Sequence, residues 1–109
     1  MTTNPQRGKA IGTVIIENER VRVTRWDFAG EGDATGWHRH EHDYVIVPLL
    51  DGRLVIEHGE GTDISELTQG VSYFRNSGVE HDVRNGNGFP YSFVEVELLQ
   101  SADHPVRQA

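Results

Sequence analysis

Short runs of alternating apolar and polar residues, each closed by glycine, asparagine or proline, fill most of the chain. Val21 to Phe28 and Tyr91 to Leu99 show the two-residue period of a strand. The same reading gives further strands over Thr13 to Ile16, Trp37 to Leu50, Arg53 to His58, Asp63 to Leu67, Val71 to Arg75 and His81 to Arg84. Turn residues separate them: Gly30 and Gly32, Asp51-Gly52, Gly59 and Gly61, Gly70, Gly78, and Asn85 to Pro90. Asp51-Gly52 between two apolar runs predicts a tight hairpin. No window of roughly eleven residues holds an apolar 3.6 period, so no long helix is expected, only a short helical turn near Ser101 to His104. The fold class is therefore all-β. About eight short strands hide their edges best in a closed barrel or a two-sheet jelly roll.

At 109 residues the chain has the size of one domain. Residues 1–10 read as a flexible leader, 11–100 as the domain and 101–109 as a tail. There is no cysteine. That excludes disulfide frameworks, thiolate metal sites and cysteine nucleophiles, and leaves His, Asp and Glu as the only ligands for a metal. A net charge of -7 repels phosphate backbones and anionic lipid, so neither nucleic acid nor a membrane is an expected partner. Met1 to Ala10 lacks the apolar segment of a signal peptide, and the expected location is the cytoplasm. The long strands Val21 to Phe28 and Tyr91 to Leu99 would present edges that need covering. This points to a homodimer formed by sheet pairing or by exchange of the N-terminal strand.

The chemistry concentrates in Trp37-His38-Arg39-His40-Glu41-His42-Asp43-Tyr44. On a strand, His38, His40, His42 and Tyr44 share one face, while Arg39, Glu41 and Asp43 take the other. Residues two apart lie ~6.6 Å from each other, so one ion with bonds of ~2.1 Å can join two leaning imidazoles. Neutral imidazole suits Fe, Ni, Cu, Zn and Mn. Two readings are open: a ligand set, or a solvated strand surface. A donor from elsewhere decides between them, and His81, opening another strand after Asn76, Ser77 and Gly78, is the candidate.

Two blocks of the sequence resemble the cupins. In the first, Gly32, His38, His40 and Gly52 fall at the family's spacings, with Val45 at the position counted for glutamate. In the second, Gly70, Gly78, His81 and Asn85 fit, with Asn76 in place of proline. The resemblance covers Gly32 to Asn85, about half the chain. It implies a small β-barrel with a divalent metal held by His38, His40 and His81, and turns at Gly52 and Gly78 that use positive φ. Valine cannot ligate, so a one-residue bulge would offer Tyr44 in its place, and His42 or water would complete the shell. Three neutral imidazoles leave the ion its full +2 charge, which favours a small anionic, chelating substrate.

Among cupins, such sites look like those of the thiol and β-diketone dioxygenases, which use Fe(II). The resemblance therefore favours an Fe(II) oxidoreductase, with Tyr44 beside the metal. It also allows an isomerase or lyase using Zn, Ni or Mn as a Lewis acid, and a binding or sensing module without catalysis. Arg25 interrupts the apolar set Val21 and Val23. If the register holds it faces inward, where it could hold a substrate carboxylate; a register shift would return it to solvent. Arg75 is a weaker candidate of the same kind. Trp26, Tyr44 and Tyr73 are candidate cavity lining, and Trp37 and Phe74 read as core. Glu95 and Glu97, alternating with Val94, Val96 and Leu98, read as the polar face of an ordinary strand, with a general base from that strand as the lesser alternative.

Overall fold

Nine strands form among residues 8–99, the part of the chain that the computed structural model describes. They are β1 (Ile11–Glu17), β2 (Val21–Phe28), β3 (His38–Arg39), β4 (Asp43–Pro48), β5 (Gly52–His58), β6 (Gly61–Leu67), β7 (Tyr73–Arg75), β8 (Glu80–Asn85) and β9 (Tyr91–Leu98). Two antiparallel sheets result, with orders β1-β2-β9-β4-β7 and β3-β8-β5-β6. This is the expected all-β jelly roll. Among the described residues there is no helix, hence none long and apolar enough to cross a membrane. The helical turn expected at Ser101 to His104 and the expected tail lie outside the described residues, as do residues 1–7 of the expected leader. From Gly8 onward the chain is fastened: the Gly8 amide donates to Asp33 Oδ1 at 3.1 Å and the Ala10 amide to the Ala34 carbonyl at 2.9 Å.

The run Trp37 to Leu50, expected as one strand, is two. The His40 amide donates to the Val79 carbonyl, the Gly78 amide donates back to the His40 carbonyl, and the chain then bends at His42 before β4 begins. Gly78 makes that return with φ +95°. Asp51-Gly52 does not close a hairpin. β4 pairs with β7 and β9, whereas β5 pairs with β6 and β8, so this turn carries the chain from one sheet to the other. Gly52 is not at positive φ. It is glycine because a Cβ there would lie 2.7 Å from the Tyr91 ring and 2.9 Å from Asn87 Oδ1. The two-residue hairpin is at Gly59-Glu60, between the paired His58 and Gly61.

Register in the five-stranded sheet sorts residues into rows across its inner face. One row is Arg22, Glu97, Tyr44, Arg75; the next is Thr24, Glu95, Ile46, Tyr73. Below them come Trp26, Phe93 and Pro48, then Phe28 with Tyr91. The rows thus pass from charged to aromatic along the sheet, and the buried Phe28, Tyr91 and Phe93 join Leu54, Leu67 and Val83 of the other sheet in the core. The opposite face of the same sheet carries a row of Val23, Val96, Val45 and Phe74, extended by Ile16 of β1. Two expected core aromatics are not in the core: Trp37 and Phe74 are half or more exposed. The strands expected to be open edges, β2 and β9, are interior, and the outer strands of this sheet are β1 and β7.

Candidate metal centre

His38 and His81 face each other as a direct cross-strand pair between β3 and β8. His40 follows two residues after His38 and is held by its backbone bonds to Val79 and Gly78. The three side chains converge: His40 Nε2 lies 3.1 Å from His38 Nε2 and 3.2 Å from His81 Nε2. The rings meet edge to face at 4.8 to 5.1 Å between centroids. His40 and His81 are buried and His38 is half-buried.

Second contacts set which nitrogen of His38 is free. The chain after Thr35 turns at Gly36, whose amide donates to Asp82 Oδ1 at 3.0 Å and whose carbonyl accepts from His38 Nδ1–H at 2.8 Å. The Thr35 hydroxyl donates to the same carbonyl at 3.0 Å and accepts the Val83 amide at 3.2 Å, tying the turn to β8. A proton on Nδ1 leaves Nε2 with a bare lone pair aimed at the other two rings. Burial, and then the charges of the neighbouring histidines, push His40 down to about 3. Burial, His38, Arg75 and His58 push His81 down to about 4. Neutral imidazoles whose lone pairs point at one spot are the donor set that a divalent ion requires. Bonds of about 2.1 Å place two nitrogens about 3.0 Å apart at right angles and about 3.4 Å apart at the tetrahedral angle, and the observed 3.1 and 3.2 Å fall between.

The centre opens on a cavity of about 490 Å³ between the two sheets, lined by Trp26, Tyr44 and Tyr73 as expected. Tyr44 faces inward with no bulge, because the bend at His42 sets the phase of β4 and its register against β9 is unbroken. Its ring stacks on His40 at 3.8 Å between centroids, with planes 15° apart, and burial raises its pKa. Val45, at the position counted for glutamate, therefore points to the outer face of the sheet. His42 is not among the converging histidines, since it sits at the bend where the strand alternation lapses. Arg25 is likewise outside the site. Thr24, Trp26 and Phe28 fix the inward phase of β2 and turn Arg25 to solvent, where its Nε donates to Asp27 Oδ1 at 3.1 Å.

The alternation in β9 runs opposite to expectation. Glu95 and Glu97 face inward and the valines outward; Arg22 Nε donates to Glu97 Oε1 at 3.0 Å. Glu95 is 91% buried, and ligating atoms of His40, Glu95 and Glu97 lie within 4.8 Å of one another. Burial, then the charge of Glu97, push Glu95 up to about 7, while Arg22 and a hydrogen bond from Trp26 oppose the rise. The signal was present in the sequence: Tyr91 and Phe93 share the parity of Glu95, and two bulky aromatics claim the core side.

The chain is 49% identical over 92 residues to the β-alanine degradation protein BauB of Pseudomonas aeruginosa, an alignment covering 84% of this chain and 96% of that protein. A cupin domain from Bordetella pertussis is 52% identical, covers 87% of this chain and 98% of its own, and superposes with a TM-score of 0.84. The chain is a cupin. A double-stranded β-helix protein from Klebsiella pneumoniae shares the architecture at 25% identity and a TM-score of 0.70, with 91% of this chain and 84% of that one covered. No family model matches the chain. In this cupin the second block's Asn85 serves the frame: it is almost fully buried, its side chain donates to the Gly30 and Phe89 carbonyls, and it accepts the Asn87 amide.

Proposed function

We propose that this cupin is a metal-dependent oxidoreductase of the three-histidine Fe(II) dioxygenase type, acting in the cytoplasm on a small anionic, chelating substrate. The observation that carries this reading is the convergence of three histidine Nε2 atoms, His40 lying 3.1 Å from His38 and 3.2 Å from His81, with the Tyr44 ring stacked on His40. Fe(II) bound by His38, His40 and His81 would keep its +2 charge and supply coordination sites for a chelating anion and for dioxygen. The chain's own part is to hold the rings: the Gly36 carbonyl orients His38, Tyr44 packs on His40, and the Trp26, Ile46 and Phe93 wall keeps water from the base of the cavity. The name of the Pseudomonas relative, a β-alanine degradation protein, accords with a small carboxylate substrate.

One observation favours a second reading. A buried carboxyl, Glu95, lines the same cavity, as a proton-transferring isomerase or lyase built on Zn, Ni or Mn would need. Metal analysis followed by oxygen-electrode assays with β-diketones, thiols and catechols separates the two. Bound iron with substrate-dependent oxygen uptake is the expected result. Zinc, nickel or manganese without uptake supports the Lewis-acid reading, and ligand binding without turnover reduces the protein to a binding module. H81A should lose its metal; full occupancy in that variant removes the three-histidine site.

A second copy of the chain is the partner we propose for the outer face. The row Ile16, Val23, Val96, Val45 and Phe74 crosses all five strands, and β1 is exposed along its whole length with one edge paired to β2 alone. A self-complementary apolar face joined by an exchangeable edge strand suits a two-fold homodimer.

A further inference from the structure

Charged side chains around the cavity are met by partners, with one exception among the described residues. Arg22 pairs with Glu97 at 3.0 Å, His58 with Asp63 at 3.0 Å and Glu80 with Arg39 at 3.6 Å. Burial favours the neutral form of Glu95. Arg75 lines the cavity and has no carboxylate within ion-pair distance. Its guanidinium is nonetheless held in place, 4.7 Å above the centre of the Tyr73 ring, with Nη1 donating to the Phe74 carbonyl at 3.4 Å.

Position gives that cation a direction. Arg75 is the direct cross-strand partner of Tyr44, and Tyr44 stacks on His40, so this exposed residue of the cavity lining stands one side chain away from the histidine cluster. Its charge reaches both walls: it helps to lower His81 and opposes the rise at Tyr44 and Tyr73. An unneutralised planar fork on a cavity wall recognises a carboxylate by two parallel N–H···O bonds, and a single ammonium would not do so equally well.

We propose that Arg75 is the carboxylate anchor of this cavity, so that the substrate is a small carboxylic acid carrying its metal-chelating group a few bonds from the anchored end. The inference rests on the three-histidine metal reading and deepens it. Of the two arginines weighed for this task from the sequence, Arg75 lines the cavity, whereas β2 turns Arg25 outward to solvent.

Zinc-loaded protein, with its metal content measured first, is titrated calorimetrically with malonate, succinate and glutarate and with the monomethyl ester of each. The ester keeps one carboxylate for the metal and removes the other. For the best-fitting diacid, wild type should bind the diacid at least about tenfold tighter than its ester. R75A should hold zinc normally and bind diacid and ester alike, and R75K should recover part of the preference. Equal affinities in the wild type, binding of neither, or a preference that survives R75A overturns the anchor while leaving the metal site standing. Failure of the wild type to take up zinc overturns the metal reading, and the anchor with it.

Discussion

Glu95 occupies a place where its ionised form loses most of its water and gains an acidic neighbour. Facing it are Glu97 on its own strand, Arg22, Thr24 and Trp26 from β2, Tyr44 and Ile46 from β4, and His40. The balance lifts its pKa from 4.5 to about 7, so between those values the folded protein binds a proton that the unfolded chain does not. The stabilisation is complete below pH ~4.5 and is lost as pH rises through 7. His40 and His81 act with the opposite sign. The unfolded chain takes up their protons near 6.5, the fold resists to about 3 and 4, and apo stability falls as pH drops below 6.5. E95Q removes the first limb and keeps the second. In metal-free protein it should raise stability at pH 8 by on the order of 3 kcal/mol, and hardly at all at pH 4.5, as read by thermal denaturation. A variant equally stable to wild type at pH 8 would show that Glu95 is not held above its ordinary pKa.

At the scale of elements, strand existence was legible from local periodicity, and the histidine triad from the spacing of the two cupin-like blocks. His38 and His40 keep the i, i+2 relation over the short stretch where β3 is intact, and His81 is placed by its own strand start. The break at His42 was not legible, since it is set by the bonds of His40 to Gly78 and Val79, forty residues away in sequence. Asp51-Gly52 misled for a related reason: a turn-forming pair says that the chain reverses, not which sheet the next strand joins. Parity alone could not phase β2, whose apolar residues fall on both faces, although Trp26 and Phe28 favour the phase observed. Gly52 allows a test of the crossing. A Cβ 2.7 Å from the Tyr91 ring forces the corner apart, so G52A should cost about 1–3 kcal/mol in urea denaturation. G59A, with open space around it, should stay within about 0.5 kcal/mol of wild type. Equal effects would mean that the packing at the crossing is not what demands glycine.

Across the whole molecule, position 45 joins the metal question to the assembly question. Counting along the cupin pattern makes Val45 the site of a lost metal carboxylate; the register makes it the centre of an apolar row on the far face, between Val96 and Phe74. The two views disagree about V45E. If position 45 addressed the cavity, a glutamate there would enter the metal shell and alter metal affinity. Facing outward, it instead sets a charge in the middle of the surface proposed to meet a second copy, where an unpaired buried carboxylate is strongly disfavoured. Light scattering should therefore find wild type at twice the 12.3 kDa chain mass and V45E at the single mass at micromolar concentration, with metal stoichiometry and affinity unchanged. A V45E dimer, or a monomeric wild type, ends the outer-face proposal. Altered metal binding in V45E would mean that β4 takes the other phase in solution, and with it that Tyr44 does not stand beside His40.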